Sequence, residues 1–366
     1  MIQPINKKFI VLHDYFEQAE GGGRLSHVLA DGFAADLGFG FKVQDHPYFE
    51  NPSSIQKEVS VISLTNIPLW RQYKLARGFT RNTEFLRSYD TVVYSGFYTP
   101  LSVVNHPTGR NILYCHTPPR FLYDQRAFFL NLLPAWQRPL LEVFNRYLQP
   151  RYERAVSQMD MVIANSVNVQ KRIKKYLGCE ATVVHPPCEI DDFTWEKSGD
   201  FFLSTARLDP LKRVDMLVQA FLQMKDKKLV VISGGSELKR IQTLAGGADN
   251  IEVRGWVNEE TLHSLLATCL GTIYIPIDED FGMSPVESMA AGKPVIGVAE
   301  GGIPESVVDG ETGLLIPAGE VTVENICEAV NALTADRASA MRNECEKRAQ
   351  RFSRERFLEN MKQIVG

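Results

Sequence analysis

The chain contains 366 residues, of which 44% are hydrophobic and 23% are charged, with 26 Gly and 19 Pro. This balance is ordinary for a folded globular protein and excludes a disordered, collagen-like or fibrous chain, and the length predicts two domains. The six cysteines form no C-x-x-C pair, which argues against a zinc site or a disulfide framework and predicts a reducing, cytoplasmic location. Because no apolar run reaches 18 residues, no membrane-spanning helix is expected.

The charge is unevenly distributed along the chain. Residues 1–185 carry 21 Lys and Arg against 15 Asp and Glu, a net charge of +6, whereas residues 186–366 carry 19 against 29, a net charge of −10. This asymmetry is either ordinary scatter or a sign that the first half meets an anionic partner, such as a phosphorylated substrate or a membrane surface. No nucleic-acid partner is expected, because the isoelectric point is about 6.0 and no dense basic block exists.

Short apolar runs alternate with amphipathic segments along the whole chain. The first half predicts six strands: Phe9–Leu12, Val59–Ile62, Thr91–Tyr94, Asn111–Cys115, Met161–Ala164 and Thr182–Val184. The second half predicts five more: Phe201–Ser204, Lys228–Ile232, Ile251–Val253, Thr272–Ile275 and Pro294–Val298. Predicted helices intervene at Arg24–Leu37, Val167–Leu177, Val214–Met224, Asn258–Ala267 and Pro285–Ala291. Continuous apolar strands that alternate with helices indicate parallel sheets covered on both faces.

The two series of elements meet at His185-Pro186-Pro187, where prolines interrupt regular structure. The expected fold class is therefore α/β, with two Rossmann-like domains that face each other across an interdomain cleft, at residues 1–185 and 186–347. Ligands of such sheets usually bind at the carboxyl ends of the strands.

The densest motif runs from Ile277 to Glu287, where a predicted strand leads through a loop into a helix. Ser284, Pro285 and Glu287 have the spacing of a capping box, in which Glu287 would only bond the helix terminus. In the alternative interpretation, the free N–H groups of the helix terminus face a phosphate, and Glu279 and Glu287 accept hydrogen bonds from sugar hydroxyls.

Three further segments follow predicted strands and carry groups suited to a diphosphate. Arg207 and Lys212 either hold its charge or are solvated loop cations. The glycines of Glu20-Gly21-Gly22-Gly23-Arg24 form either a ligand-approaching loop before a helix or a flexible turn, and the segment lacks the G-x-G-x-x-G pattern of nicotinamide dinucleotide sites. His116 ends a strand, where it either faces the cleft or is structural. Together these segments predict a sugar-nucleotide pocket.

With these motifs the sequence resembles the family 4 retaining glycosyltransferases, which have the GT-B fold. The resemblance rests on Glu279-x7-Glu287 within E-D-F-G-M-S-P-V-E-S-M-A-A-G-K-P-V-I-G, on Gly301-Gly302-Ile303-Pro304-Glu305 and on Arg207 with Lys212. Gly22-Gly23 and His116 also match, although Arg24 departs from the common Gly-Gly-x-Glu pattern.

The resemblance implies a role for each matching position. Glu279 would contact donor sugar hydroxyls, Glu287 the ribose diol, and His116 the reacting centre near donor O6 and the acceptor. Arg207 and Lys212 would stabilise the leaving diphosphate, and Gly22 and Gly23 would let it approach the N-terminal domain. The backbone of four residues would face the sugar or the diphosphate: Phe281, Gly282, Met283 and Ser284. Residues 348–366 would form a helix that returns to the N-terminal domain.

The implied reaction moves a hexose, with retention, from a nucleoside-diphosphate sugar to a hydroxyl of a glycan or of a polyprenyl-diphosphate-linked acceptor. The stretch His116–Asp124 resembles a subgroup rich in mannosyltransferases that use GDP-mannose and build bacterial surface polysaccharides. The alternatives are a UDP-sugar-dependent hexosyltransferase, a sugar-nucleotide epimerase, a glycosidase or a non-catalytic binding subunit.

Two expectations concern other partners. The form Asp278-Glu279-Asp280 permits a divalent cation, but the expectation is no metal and no cofactor besides the nucleotide-sugar co-substrate, since protein cations already neutralise the diphosphate. The aromatic and basic segments Leu69–Arg81 and Phe128–Trp136 are either a core edge with solvated cations or a site that docks on the anionic cytoplasmic face of the inner membrane.

Overall fold

The computed structural model describes residues 8–17, 20–44, 46–49, 56–58 and 69–365. The chain divides into two compact units, one formed by Met1–His185 with Leu358–Gly366 and the other by Pro186–Phe357. Each unit is a parallel sheet with helices packed on it, which confirms the predicted α/β class. Among the described residues, no helix combines the length and apolarity needed to cross a membrane.

In the first unit, the described strands form one parallel sheet in the order β3-β2-β1-β4-β5-β6-β7. These strands are β1 (Phe9–His13), β2 (Asp36–Phe39), β3 (Gln56–Glu58), β4 (Thr91–Ser95), β5 (Arg110–Cys115), β6 (Met161–Ala164) and β7 (Thr182–Val183). Its helices are α1 (Gly21–Gly32), α2 (Trp70–Arg81), α3 (Arg126–Leu132), α4 (Arg138–Val156) and α5 (Val167–Leu177). The sheet order reverses direction beside β1, so the ends of β1 and β4 are where a ligand is expected.

In the second unit, the strand order is β10-β9-β8-β11-β12-β13. The strands are β8 (Phe201–Ser204), β9 (Lys228–Ile232), β10 (Ile251–Gly255), β11 (Gly271–Tyr274), β12 (Val295–Val298) and β13 (Gly313–Ile316). The helices are α6 (Val214–Gln223), α7 (Leu238–Ala245), α8 (Glu259–Thr268), α9 (Met283–Ala290), α10 (Ile303–Ser306), α11 (Val323–Ala332), α12 (Ala335–Ala349) and α13 (Arg354–Val365). The last residues of α13 are assigned to the first unit.

Most predicted strands are confirmed to within two residues, but the predicted helix Arg24–Leu37 is wrong at its carboxyl end. Helix α1 ends at Gly32, and Ala34 then adopts a left-handed conformation with φ of 48°. The apolar residue Leu37, which continued the helical pattern, instead pairs with Val11 in the sheet. Strands β2 and β13 were not predicted, and the predicted strand Val59–Ile62 lies outside the described residues.

A polar network holds the start of α1 on the ends of β1 and β4. His13 Nδ1 lies 2.7 Å from the carbonyl oxygen of Ser95, and since a carbonyl only accepts, Nδ1 carries the proton. Ser26 Oγ lies 2.9 Å from both Ser95 Oγ and the carbonyl oxygen of Gly22, and 3.1 Å from His13 Nδ1. The network fixes the edge of the sheet where the Gly-rich segment begins.

Burial lowers the pKa of His13 to about 3, and the nearby His116 acts in the same direction. A lowered pKa means that the unfolded chain takes up the proton first, from about pH 6.5 downward. The contribution of His13 to the free energy of unfolding therefore decreases as the pH falls from 6.5 toward 3.

We expect the substitution His13→Asn to remove this penalty while it keeps an N–H donor for the carbonyl of Ser95. The free energy of unfolding of the natural protein, minus that of the variant, should fall by about 1.4 kcal/mol per pH unit below pH 6.5. Urea unfolding at a series of pH values measures this difference. A difference that stays constant between pH 7.5 and 5 would contradict the assignment.

Candidate active site

In the second unit, Lys212 and Glu279 form an ion pair that is four-fifths buried. Lys212 ends a short 3₁₀ turn after β8, and its Nζ donates to Glu279 Oε2 and, over 3.1 Å, to Tyr274 Oη. The exposed fractions of the two charged side chains are 20% and 18%. An ammonium has three donors, of which these contacts use two, so Lys212 has a third N–H with which to bind a phosphate oxygen.

Tyr274, which lies outside the predicted site motifs, completes this group. The residue ends β11, and its hydroxyl donates to Glu279 Oε2 over 3.1 Å. Burial, followed by the charge of Glu279, raises the pKa of Tyr274 well above its usual value, so the phenol stays protonated. Its only signal in the sequence was a polar atom at the end of an otherwise apolar strand.

The loop that carries Glu279 is held by a second group of charges. Glu300 accepts a 2.8 Å hydrogen bond from the backbone N–H of Asp278, and its other carboxylate oxygen lies 3.6 Å from Nη2 of Arg213. Asp278 has a left-handed backbone, with φ of 45°. Gly301 packs so closely that a Cβ there would lie 2.5 Å from the carbonyl oxygen of Glu279. The motif that begins with Gly301 therefore supports the loop of the motif Ile277–Glu287.

The predicted capping box of α9 is wrong. The helix begins at Met283, its N-cap is Gly282, and Ser284 lies inside the first turn. Gly282 has φ of 89° and connects the loop to the helix. A Cβ on Gly282 would lie 3.5 Å from Cγ of Glu279, so the two residues are adjacent. Because the helix starts earlier, Glu287 lies beyond the capping position, and its charge contributes to the raised pKa of Tyr274.

The remaining predicted residues of this unit lie in different surroundings. Phe281 is buried, with its ring 5.4 Å from that of Phe352, so its side chain belongs to the core and only its backbone can face a ligand. Met283 and Ser284 are half-buried. Arg207 is exposed and lies 3.4 Å from Asp209.

In the first unit, Gly22 and Gly23 differ from the prediction because they lie in the first turn of α1, not in a loop before it. A Cβ on Gly22 would lie 3.6 Å from His116 Nε2 and 3.5 Å from His13 Cε1, which are ordinary contact distances, so Gly22 lies directly against both rings. The amino end of α1, with its positive dipole, is thus brought beside two imidazole rings.

His116 follows β5 and joins the network described above. Its Nε2 lies 2.9 Å from Ser95 Oγ, and burial lowers its pKa to about 4, so the ring is neutral at physiological pH. A neutral imidazole both donates and accepts a hydrogen bond, which suits contact with hydroxyl groups. The structure thus brings His116 together with Gly22, and Lys212 together with Glu279.

Within the described part of the chain, no group of three or more His, Cys, Asp or Glu side chains is arranged to hold a metal ion. In the segment Asp278-Glu279-Asp280, the central carboxylate already accepts from Lys212 and Tyr274.

Comparison with known proteins identifies the second unit. Residues 189–352 match the family described as Glycosyl transferases group 1. The chain is 26% identical over 331 residues to alpha-1,3/1,6-mannosyltransferase ALG2 of Dictyostelium discoideum, an alignment that covers 76% of each chain. It is also 27% identical over 228 residues to D-inositol 3-phosphate glycosyltransferase of Streptomyces avermitilis, covering 52% of this chain and 49% of that one. The chain thus spans about half the length of that second relative.

Solved structures share the fold over nearly the whole length. Sucrose-phosphate synthase of Thermosynechococcus elongatus superposes with a TM-score of 0.76 at 18% identity, covering 98% of both chains. Anabaena Alr3699/HepE in complex with UDP and glucose also gives a TM-score of 0.76, at 16% identity, covering 98% of this chain and 99% of that one. Residues 189–352 therefore match the glycosyl transferases group 1 family, and the chain shares the GT-B fold of these solved structures over nearly its whole length.

Proposed function

We propose that this glycosyltransferase moves a hexose, with retention of configuration and without a metal ion, from a nucleoside-diphosphate sugar to a hydroxyl of a glycan or lipid-linked glycan. The observation that carries the proposal is the Lys212–Tyr274–Glu279 group beside the amino end of α9. It combines a cation for a phosphate with a carboxylate for a sugar hydroxyl, at the carboxyl end of a parallel sheet.

Breaking the bond between the sugar and the diphosphate places negative charge on the departing phosphate oxygen. Lys212, the backbone N–H groups that begin α9 and Arg207 would stabilise that charge as fixed donors. Since protein cations and a helix terminus supply this positive potential, the reaction needs no metal ion for it. No carboxylate is assigned as a nucleophile.

The remaining site residues keep the roles that the family resemblance gives them. Glu279 accepts from hydroxyls of the donor sugar, Glu287 from the ribose, and Gly282, Met283 and Ser284 present backbone to the donor. In the first unit, Gly22, Gly23 and His116 contact the substrates, and the neutral ring of His116 suits a hydroxyl. Each of these roles is part of the proposal.

Mannose from GDP-mannose is the proposed donor, because the mannosyltransferase of Dictyostelium discoideum is the relative with the widest coverage described above. A UDP-hexose is the second candidate, since the Anabaena protein of the same fold binds UDP and glucose. The proposed acceptor is a polyprenyl-diphosphate-linked glycan at the cytoplasmic membrane surface.

We expect Glu279→Ala and Arg207→Ala each to lower donor turnover by roughly 100-fold, the loss typical of removing one group that stabilises a transition state. Turnover is measured as nucleoside diphosphate released from GDP-mannose and from UDP-glucose, and the anomeric configuration of the product is read by NMR. Exposed residues of the same unit provide matched controls: Glu344→Ala for the carboxylate and Lys228→Ala for the cation. If both site variants keep the natural rate, the site is wrongly assigned.

We expect EDTA to leave the rate of the natural protein unchanged, because Lys212 and α9 take the place of a cation at the diphosphate. The same turnover assay, with and without the chelator, checks this. A rate that EDTA abolishes and manganese restores would show instead that the segment Asp278–Asp280 binds a metal ion.

A further inference from the structure

Four large apolar side chains are exposed on one part of the first unit. The exposed fraction is 57% for Leu132, 70% for Trp136, 53% for Leu140 and 65% for Val143. They follow one another from the end of α3 through a 3₁₀ turn into α4. Within the helical segment that begins at Ala135, the spacing of three or four residues places Trp136, Leu140 and Val143 on one side. Leu132 ends α3 just before this segment, and we call the four residues the α4 stripe. Scattered single apolar residues on a surface need no explanation, but a row of four does.

Aromatic rings continue the α4 stripe onto α2. Tyr147 lies one further turn along α4, and its ring centroid is 5.6 Å from that of Tyr73. Tyr73 in turn stacks on Trp70 at 5.5 Å, and Trp70 is 48% exposed. The apolar surface therefore runs across two helices of the same unit and has a tryptophan toward each end.

The helices beneath this surface are strongly basic. Helix α2 contains four cations and no acidic residue, and α4 contains four arginines and two glutamates. Both glutamates already have partners: Glu142 pairs with Arg126, and Glu153 accepts from Gln149 over 2.9 Å. The exposed cations are Arg77, Arg81, Arg138, Arg146, Arg151 and Arg154.

Two cations of these helices, the exposed Arg151 and the half-buried Lys74, lie over aromatic rings. Arg151 lies 4.0 Å from the ring centroid of Tyr147, and Lys74 lies 5.8 Å from that of Trp70. The α4 stripe and the cations of α2 and α4 therefore occupy one continuous surface. An apolar row with tryptophans, bordered by cations with long stems, is the composition of a surface that lies in the headgroup region of an anionic bilayer.

From this juxtaposition we propose that the α4 stripe and α2 dock the protein on a membrane of anionic lipid. Leu132, Trp136, Leu140 and Val143 enter the boundary between headgroups and acyl chains, and the arginines bind lipid phosphates. Apolar burial and charge attraction then both contribute to binding. This proposal rests on the proposed function, because docking would bring the enzyme to a lipid-linked acceptor, which is found only at such a surface.

The test is cosedimentation with vesicles of phosphatidylcholine alone or with phosphatidylglycerol. We expect the protein to pellet with the anionic vesicles only, and Val143→Glu to lower the bound-to-free ratio about tenfold, because it places a charge in the apolar row. Val167→Glu is the matched control, since Val167 is an exposed apolar residue of the same unit on α5, outside the stripe. Added salt should weaken binding of the natural protein.

Insertion is tested separately by quenching of tryptophan fluorescence with lipids brominated on their acyl chains. The chain has four tryptophans, and Trp136→Phe removes the most exposed of them while keeping an apolar ring. We expect anionic brominated vesicles to quench the natural protein and to quench Trp136→Phe much less.

The proposal is overturned if the natural protein does not bind anionic vesicles, if Val143→Glu binds them as well as Val167→Glu does, or if Trp136→Phe is quenched fully. Loss of self-association in Val143→Glu without loss of vesicle binding would assign the stripe to a second copy of the chain instead. Donor turnover in solution separates the two proposals: Val143→Glu should keep the natural rate. Vesicle binding by a protein that turns over no donor would refute only the proposed function.

Discussion

The candidate site depends on one buried ion pair, between the ammonium of Lys212 and the carboxylate of Glu279. Each charge would be costly to bury alone, and the shared hydroxyl of Tyr274 satisfies part of the hydrogen-bonding capacity of both. The pair therefore fixes two groups of opposite charge at the end of β11, where one can meet a phosphate and the other a hydroxyl. A nucleoside-diphosphate sugar presents those two groups next to each other.

The fold explains why these residues meet although they are distant in sequence. Lys212 follows β8 and Glu279 follows β11, and these two strands are neighbours in the sheet. The loop of Glu279 is itself braced by Glu300, which follows β12, the next strand along. The carboxyl ends of parallel strands lie at the same edge of the sheet, so the loop that follows each strand can contribute a functional residue there. In the first unit, His13 and Ser95 end β1 and β4, and His116 directly follows β5.

Much of the fold could be predicted from the sequence, because continuous apolar runs identify central parallel strands directly. The site was predicted as individual residues, and Lys212 with Glu279 and Gly22 with His116 do lie together. What remained hidden depends on tertiary packing. Tyr274 gave only a weak local signal, a hydroxyl at the end of a strand, and Glu300 gave none. The start of α9 at Met283 follows from the left-handed Gly282 and not from capping chemistry at Ser284. Likewise Gly22 and Gly23 lie in the first turn of α1, which no local pattern distinguished from a loop.

The central claim is that Lys212 binds the diphosphate of the donor, and its most direct measurement is calorimetric titration with GDP, UDP and their parent nucleosides. We expect one of the two diphosphates to bind well and Lys212→Met to weaken its binding at least about tenfold, the loss expected for a charged hydrogen bond. Binding of the matching nucleoside should hardly change. Equal affinity of the natural protein and Lys212→Met for both diphosphates would contradict it.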